Sequence, residues 1–451
     1  MIFTTKWLSK WFTHFQGSID EGRIEAVFTD SRKQVANGLF IPLEGENFDG
    51  HTFIDSAIDQ GAVATFWNRE KELPAHLPKD FPVFFVEDTL VALQQLAHQY
   101  RMEINPTVIG VTGSNGKTTT KDLIGSVLGV SFQTHRTAGN YNNHIGLPLT
   151  ILSMPRGTEM LVLEMGMNHF GEIEQLSTIA QPDYAIITNI GESHIEYLGS
   201  REGIAQAKTE ILAGMKESGR VFLDGDEPLL APLHTRERVV SCGYDGKNRC
   251  HITNVSMSER STTFTINDTE SYEIGMLGKH NVKNASYAIM LGKAIGMEPV
   301  HIQEGLHSIE MTGMRFETVD GPKSSIIIND AYNASPTSME ASIGVVKEMD
   351  VKGKRIVVLG DIFELGAHRD EFHRQVAQSV TSPIDLLLTV GEASALITEE
   401  VRREEAVEAK HFTTKEDLVR ELNERIEPHS LILLKASRGM KLETILDELT
   451  Y

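Results

Sequence analysis

Short, nearly continuous apolar runs alternate along this chain with stretches whose apolar positions recur at helical spacing. The alternation is plainest from residue 107 onward. Residues 107–112, 160–164 and 184–188 read as buried parallel strands, with helices predicted at about 117–129, 170–180 and 201–214. Segments 251–256, 262–267 and 271–276 read as short antiparallel strands, and helices at about 281–296 and 299–309 follow. Beyond Thr312-Gly313-Met314, predicted strands at 325–330, 355–360, 384–390 and 431–436 alternate again with helical patterns, which makes a second α/β unit. Residues 1 to about 100 carry shorter runs separated by turns such as Asp49-Gly50, and Asn105-Pro106 reads as a boundary. The expected architecture is α/β in three domains, 1–104, 105–313 and 314–451, with no internal repeat. Near the start, Trp7, Leu8, Trp11, Phe12 and Phe15 fall at helical spacing, a stripe expected to pack on its own domain rather than on a membrane.

Composition narrows the function classes. The 451 residues are 40% hydrophobic and 23% charged, which is ordinary globular composition. A net charge of −21 argues against a general nucleic-acid or anionic-membrane binder, while a local pocket can still take anionic small molecules. No run is long enough to span a bilayer, and no signal-peptide pattern opens the chain. Cys242 and Cys250 fit neither a zinc motif nor a disulfide framework, so a cytoplasmic protein is expected.

The candidate chemistry begins at Gly113-Ser114-Asn115-Gly116-Lys117-Thr118-Thr119, between a predicted strand and a predicted helix. That is the setting of a phosphate-binding loop: backbone N–H groups cradle phosphates, Lys117 supplies positive charge and the Thr118 hydroxyl reaches Mg²⁺. Val111 stands where the strict motif has its first glycine. A Gly-Lys-Thr turn alone is an ordinary connection; the two flanks favour the nucleotide. Glu164 closes a predicted strand, where a parallel sheet binds ligands, and suits either Mg²⁺ or a solvent-facing acid. His194, just after the next strand, is a candidate metal ligand or proton carrier, although one loop histidine among 17 is commonly incidental. Asp330 ends another strand, placed for ribose, phosphate or a positive group; the following Asn333 and Ser335-Pro336 read as a turn and helix start. Lys208 alone reads as a solvated helical lysine.

Together these stretches resemble the Mur ligase family, the ATP-dependent enzymes that build the peptide stem of the bacterial cell wall. The resemblance covers essentially the whole chain and includes the variant loop from Gly110 to Thr118. It implies a small N-terminal UDP-binding α/β domain, a central P-loop ATPase-like parallel sheet with a small β excursion, and a C-terminal Rossmann-like domain. The stretches Asp330–Pro336 and Leu359–Gly366 imply ligation of D-alanyl-D-alanine to UDP-N-acetylmuramoyl-tripeptide through an acyl phosphate, in peptidoglycan precursor synthesis.

The site residues follow from the same resemblance. Ser31, Arg32, Gly45, Asn47, Phe48 and Asp49 would hold the uridine diphosphate, and Asn140, Asn142 and Asn143 the substrate near the γ-phosphate. Gly113 to Thr119, Asn281, Arg315 and Asp330 would bind ATP. Two Mg²⁺ ions would be held by Thr118, Glu164, His194 and a CO₂-derived carbamate on Lys208. Asn333, Ser335 and Arg438 are the expected D-alanyl-D-alanine contacts. The implied partners are these small molecules, with no nucleic acid, no membrane insertion and a monomeric chain. Enzyme rivals are the ligase that adds the third stem residue, whose diaminopimelate-adding form carries an Asp-Asn-Pro-Arg motif absent here, and folylpolyglutamate synthase. A scaffold with a degenerate site is opposed by the joint presence of Lys117, Thr118, Glu164, His194 and Lys208.

Overall fold

The computed structural model describes residues 2–310, 312–405 and 407–449. Three large sheets follow one another along the chain. The first has five strands, in the spatial order Phe15–Gln16, Val83–Val86, Ala62–Asn68, Gly38–Phe40 and Ala26–Phe28, all parallel except the first. The N-terminal stripe does not form one helix. The helix stops at Thr5–Leu8, and Phe15 lies in the edge strand against Phe84. Leu8 and Phe12 are buried while Trp11 and Phe15 remain exposed, so packing within the domain overrides the helical spacing.

The central sheet has nine strands. Its parallel part runs Thr134–Arg136, Met160–Glu164, Thr107–Thr112, Tyr184–Ile187, Arg220–Asp224, Val239–Gly243, and the small β excursion Cys250–Met257, Thr262–Ile266 and Glu270–Ile274 extends its far edge. Thr107–Thr112 sits between Met160–Glu164 and Tyr184–Ile187. The loops after these three strands therefore emerge side by side at their carboxyl ends, where open parallel sheets bind ligands. Helix Lys117–Gly129 packs under this edge against helix Lys279–Ile295.

The third sheet has six strands, ordered Glu317–Asp320, Ile326–Asn329, Leu431–Lys435, Arg355–Gly360, Leu386–Val390 and Glu408–Phe412, with only the first antiparallel. One contiguous apolar core joins all three units, containing Phe66, Leu163 and Leu359. Separate clusters cover the other faces, so each large sheet is apolar on both sides, as parallel sheets require. No helix among the described residues is long and apolar enough to cross a membrane.

Candidate active site

The phosphate loop is built by two glycines. Gly113 has φ +148°, and a Cβ there would stand 1.8 Å from the Thr188 hydroxyl oxygen. Gly116 starts helix Lys117–Gly129 at φ 77°, in the left-handed region that glycine adopts freely. Val111 is a fully buried strand residue, so the tight turn begins two residues after the strict motif would place it. Asn115 fastens the loop to the next strand end: its N–H donates to Asn189 Oδ1 at 2.9 Å, and Gly191 N–H donates to Ser114 Oγ at 2.8 Å.

A cavity of about 600 Å³ opens above this loop and is walled by the central and third units together. Of the sequence-predicted residues, Ser114 through Thr119, Asn142, Asn143, Glu164, His194, Asn281, Arg315, Asp330 and Asn333 line it. Lys117 folds back, its ammonium donating to the carbonyls of Gly113 at 2.8 Å and Ser114 at 3.3 Å. Burial lowers its pKa, Glu164 opposes that and nearby Arg315 adds to it. Glu164 is buried; Oε2 accepts from the Thr118 hydroxyl at 2.8 Å and Oε1 from the Asn142 amide at 2.9 Å. His194 has φ 65° and turns its Nδ1 to Glu364 of the third unit, 2.7 Å away.

Three polar groups on residues of this wall are buried without a hydrogen-bond partner, the Arg315 Nε, the Asn115 Nδ2 and the His194 Nδ1, the last close to Glu364 but off the hydrogen-bond direction. The Arg315 guanidinium instead lies over the Tyr332 ring at 4.1 Å. Unused donors on arginine and asparagine residues that line a cavity suit an anionic ligand. Asp330 is already engaged. It accepts from Phe316 N–H at 3.2 Å, Ser342 at 2.7 Å and the buried Lys435 ammonium at 2.6 Å. Within the protein, Lys435 is the positive group beside it. Asn281 donates to the Leu277 carbonyl at 2.8 Å, while neighbouring His280, beside Asp330 and Lys435, is pushed down to about 4 chiefly by burial.

Lys208 lies behind this wall rather than on it, on helix Arg201–Thr209, and is only 2% exposed. Its side chain has no hydrogen bond or ion pair among the described residues, although its backbone carbonyl accepts at the helix end. Burial, reinforced by the positive charge of Lys117, drives its pKa well below the ordinary lysine value. The helix buries Ile204, Ala207 and Lys208, and Ile211 continues that face. This i, i+3, i+4, i+7 pattern was the available sequence signal that Lys208 points inward.

Other predicted residues lie away from the cavity. Arg32 pairs with Asp30 at 2.8 Å on the surface of the first unit, and Ser31 is buried nearby. Phe48 stands exposed within the short hairpin of Glu44–Gly45 and Phe48–Asp49. Burial would raise the Asp49 carboxyl, but Lys71 and His51 hold it down at about 2. Lys71 also reaches Glu44 at 3.3 Å, so an ammonium already neutralises this acid–histidine group. Asn140 is exposed, whereas Asn143, which lines the cavity, caps the following helix through the Gly146 N–H at 2.8 Å. Ser335 is spent on capping helix Pro336–Glu348 and donates to Asn115 Oδ1 at 3.1 Å. Arg438 pairs with Glu443 at 2.6 Å and stands 5.8 Å over the Tyr332 ring.

Sequence reasoning missed Glu192, Glu364 and Lys435. Glu192 Oε2 accepts from the Thr337 hydroxyl at 2.5 Å, joining the central and third units at a helix N-terminus.

Comparison with known proteins agrees with this arrangement. Family models match in three successive pieces: the Mur ligase family catalytic domain over residues 23–101, the Mur ligase middle domain over 111–292, and the Mur ligase glutamate ligase domain over 314–438. The UDP-N-acetylmuramoyl-tripeptide–D-alanyl-D-alanine ligase of Bacillus subtilis (strain 168) is 49% identical over 94% of this chain and 93% of its own. The chain belongs to the Mur ligase family. The ligase of the same name from Escherichia coli (strain K12) is 32% identical over 94% of this chain and 93% of its own. Among solved structures, MurF from Acinetobacter baumannii superposes with a TM-score of 0.88 at 29% identity, covering 99% of this chain and 98% of that one. MurF ligase from Thermotoga maritima in complex with ADP gives 0.84 at 28% identity, covering 94% and 97%. This Mur ligase thus keeps the family's three-part α/β architecture, and its phosphate loop lies at the junction of the central and third units.

Proposed function

We propose that this Mur ligase joins D-alanyl-D-alanine to UDP-N-acetylmuramoyl-tripeptide at the expense of ATP. The carrying observation is the two-unit cavity above the phosphate loop, which combines Lys117, the Thr118–Glu164 pair, His194 and Arg315, whose Nε has no hydrogen-bond partner. The similarity to ligases of that name supports the choice of substrates. The proposed boundaries stay at residues 104 and 313, and we read the protein as a cytoplasmic monomer acting on nucleotide-linked substrates.

A carboxylate is a poor acyl donor, because oxide is a very bad leaving group. In the proposed sequence the tripeptide carboxylate attacks the γ-phosphorus of ATP, ADP leaves, and an acyl phosphate forms. The amine of D-alanyl-D-alanine, having shed its proton, attacks the acyl carbon; the tetrahedral intermediate expels phosphate and the nitrogen loses its extra proton. Two anions meet in the first step. Lys117 and Arg315 counter that repulsion by placing positive charge on the transferring phosphoryl group. The phosphate-loop N–H groups fix its position.

The hydroxyl of Thr118, the carboxylate of Glu164 and the imidazole of His194 would hold Mg²⁺, a hard cation that favours such oxygen-rich sets. Mg²⁺ supplies charge neutralisation at the phosphates and at the substrate carboxylate. Ser31, Arg32 and residues 45–49 would hold the uridine diphosphate, with exposed Phe48 offering a face to the uracil ring. The D-alanyl-D-alanine contacts are assigned to Asn333 and Arg438. Ser335 would act there through the helix start it caps.

The acyl phosphate can be sought directly. With ATP, Mg²⁺ and UDP-tripeptide but no dipeptide, hydroxylamine should convert the substrate into a hydroxamate visible by mass. Trapping only when ATP is present is the expected result; ligation competent enzyme that gives no hydroxamate would argue for another route.

A further inference from the structure

The loop from Asn189 to His194 touches both the phosphate loop and the third unit. Asn189 and Gly191 hold Asn115 and Ser114, while Glu192 accepts from Thr337 and His194 meets Glu364. Glu364 lies in the stretch after strand Arg355–Gly360, at φ 62°, and its backbone carbonyl accepts from Glu196 N–H at 3.4 Å. The side chain therefore comes to His194 from a segment anchored against the turn that carries the histidine. The imidazole Nδ1 is buried on the Glu364 side, although its N–H axis runs off the carboxylate oxygen. His194 is among the residues that line the cavity. An imidazole held at Nδ1 offers Nε2 as its free nitrogen, and an outer carboxylate partner commonly fixes the orientation of a metal-binding histidine.

We propose that Glu364 is the positioning residue for His194, so that this side of the metal site is completed by the third unit and only when that unit is docked. The inference rests on the reading of His194 as a Mg²⁺ ligand. The consequence is coupling: the unit that carries the proposed acceptor contacts also orients a ligand at the phosphate site. Release of the third unit frees the imidazole to turn, and productive metal and phosphate geometry is lost before ATP is spent without an acceptor in place.

The test uses Mn²⁺ as the probe, counted as free ion by electron paramagnetic resonance, on the full-length protein with a methylene analogue of ATP. Glu364→Ala should weaken Mn²⁺ binding by about tenfold or more, within the range seen on removing such partners. Glu364 is substantially exposed, so its truncation leaves no hole, and a melting curve checks the fold. Glu364→Gln keeps an acceptor oxygen at the same reach and should restore most of the affinity. Thr337→Val removes a different contact between the same two units and should leave Mn²⁺ affinity nearly unchanged. Equal weakening by Thr337→Val would mean that docking alone matters, and would overturn the positioning role. His194→Ala separates the two ideas. If it weakens Mn²⁺ while Glu364→Ala does not, the positioning proposal fails and the ligand reading stands. If His194→Ala has no effect, the ligand reading fails and the proposal fails with it.

Discussion

Lys117→Ala should lower ligation turnover by at least about 10²-fold, the scale for removing one preorganised electrostatic donor at a transition state. In the structure the Lys117 ammonium has only the carbonyls of Gly113 and Ser114 as partners, both in its own loop. Those bonds are short-range and replaceable by water. The charge has a better use once a triphosphate enters the loop. Arg315 already lowers the lysine's pKa, so two cations converge on one region of the cavity, and an anion there relieves their repulsion. The melting temperature of the variant should barely change, because the side chain is not part of an apolar core. Near-normal ligation by Lys117→Ala would remove the phosphate-loop reading.

Lys208→Ala should lose most activity and still bind the nucleotide, and the reason lies in the environment of the wild-type amine. For a lysine only 2% exposed, with no side-chain polar partner among the described residues and Lys117 as its charged neighbour, burial and that charge lower the pKa well below the ordinary lysine value and favour the neutral amine. A neutral amine is the form that attacks CO₂: its lone pair bonds to the carbon, a proton leaves, and the product is an anionic carbamate. That anion would match the nearby positive charge of Lys117 and could help hold a second Mg²⁺, whereas an ammonium would repel it. A carbamate would account for a burial that the bare side chain does not explain. Isotope-labelled CO₂ should give a carbamate signal in the wild type and none in Lys208→Ala. Small added carboxylates should restore part of the activity by filling the gap. Full activity in enzyme stripped of CO₂, with no labelled signal on its return, would exclude the modification.

The parts of this fold that were legible share one physical property. Residues 107–112, 160–164 and 355–360 are strands buried on both faces, so their apolar runs announce them. Thr134–Arg136 and Glu408–Phe412 lie on sheet edges, half wetted and partly charged, and leave little pattern to read. Helix Arg201–Thr209 ends earlier than its periodicity suggests, and a 3₁₀ turn at Glu210–Leu212 continues the same face.

The site divides the same way. Lys117, Thr118 and Glu164 were readable because strand ends and a glycine turn mark them locally. Glu364 pairs with a histidine 170 positions earlier, and Thr337 with a glutamate 145 positions earlier, so only the docking of two units reveals either contact. Asp330 was rightly seen at a strand end. Its buried partner Lys435, on the neighbouring strand of the sheet, depends on strand order, which local pattern does not carry.

Phosphate release measured with each substrate withheld in turn tests the central claim most directly. The account predicts release from ATP that requires both UDP-N-acetylmuramoyl-tripeptide and D-alanyl-D-alanine, with a product heavier than the tripeptide substrate by the dipeptide less one water. Release that ignores D-alanyl-D-alanine, or that proceeds equally with a single amino acid in its place, would contradict it.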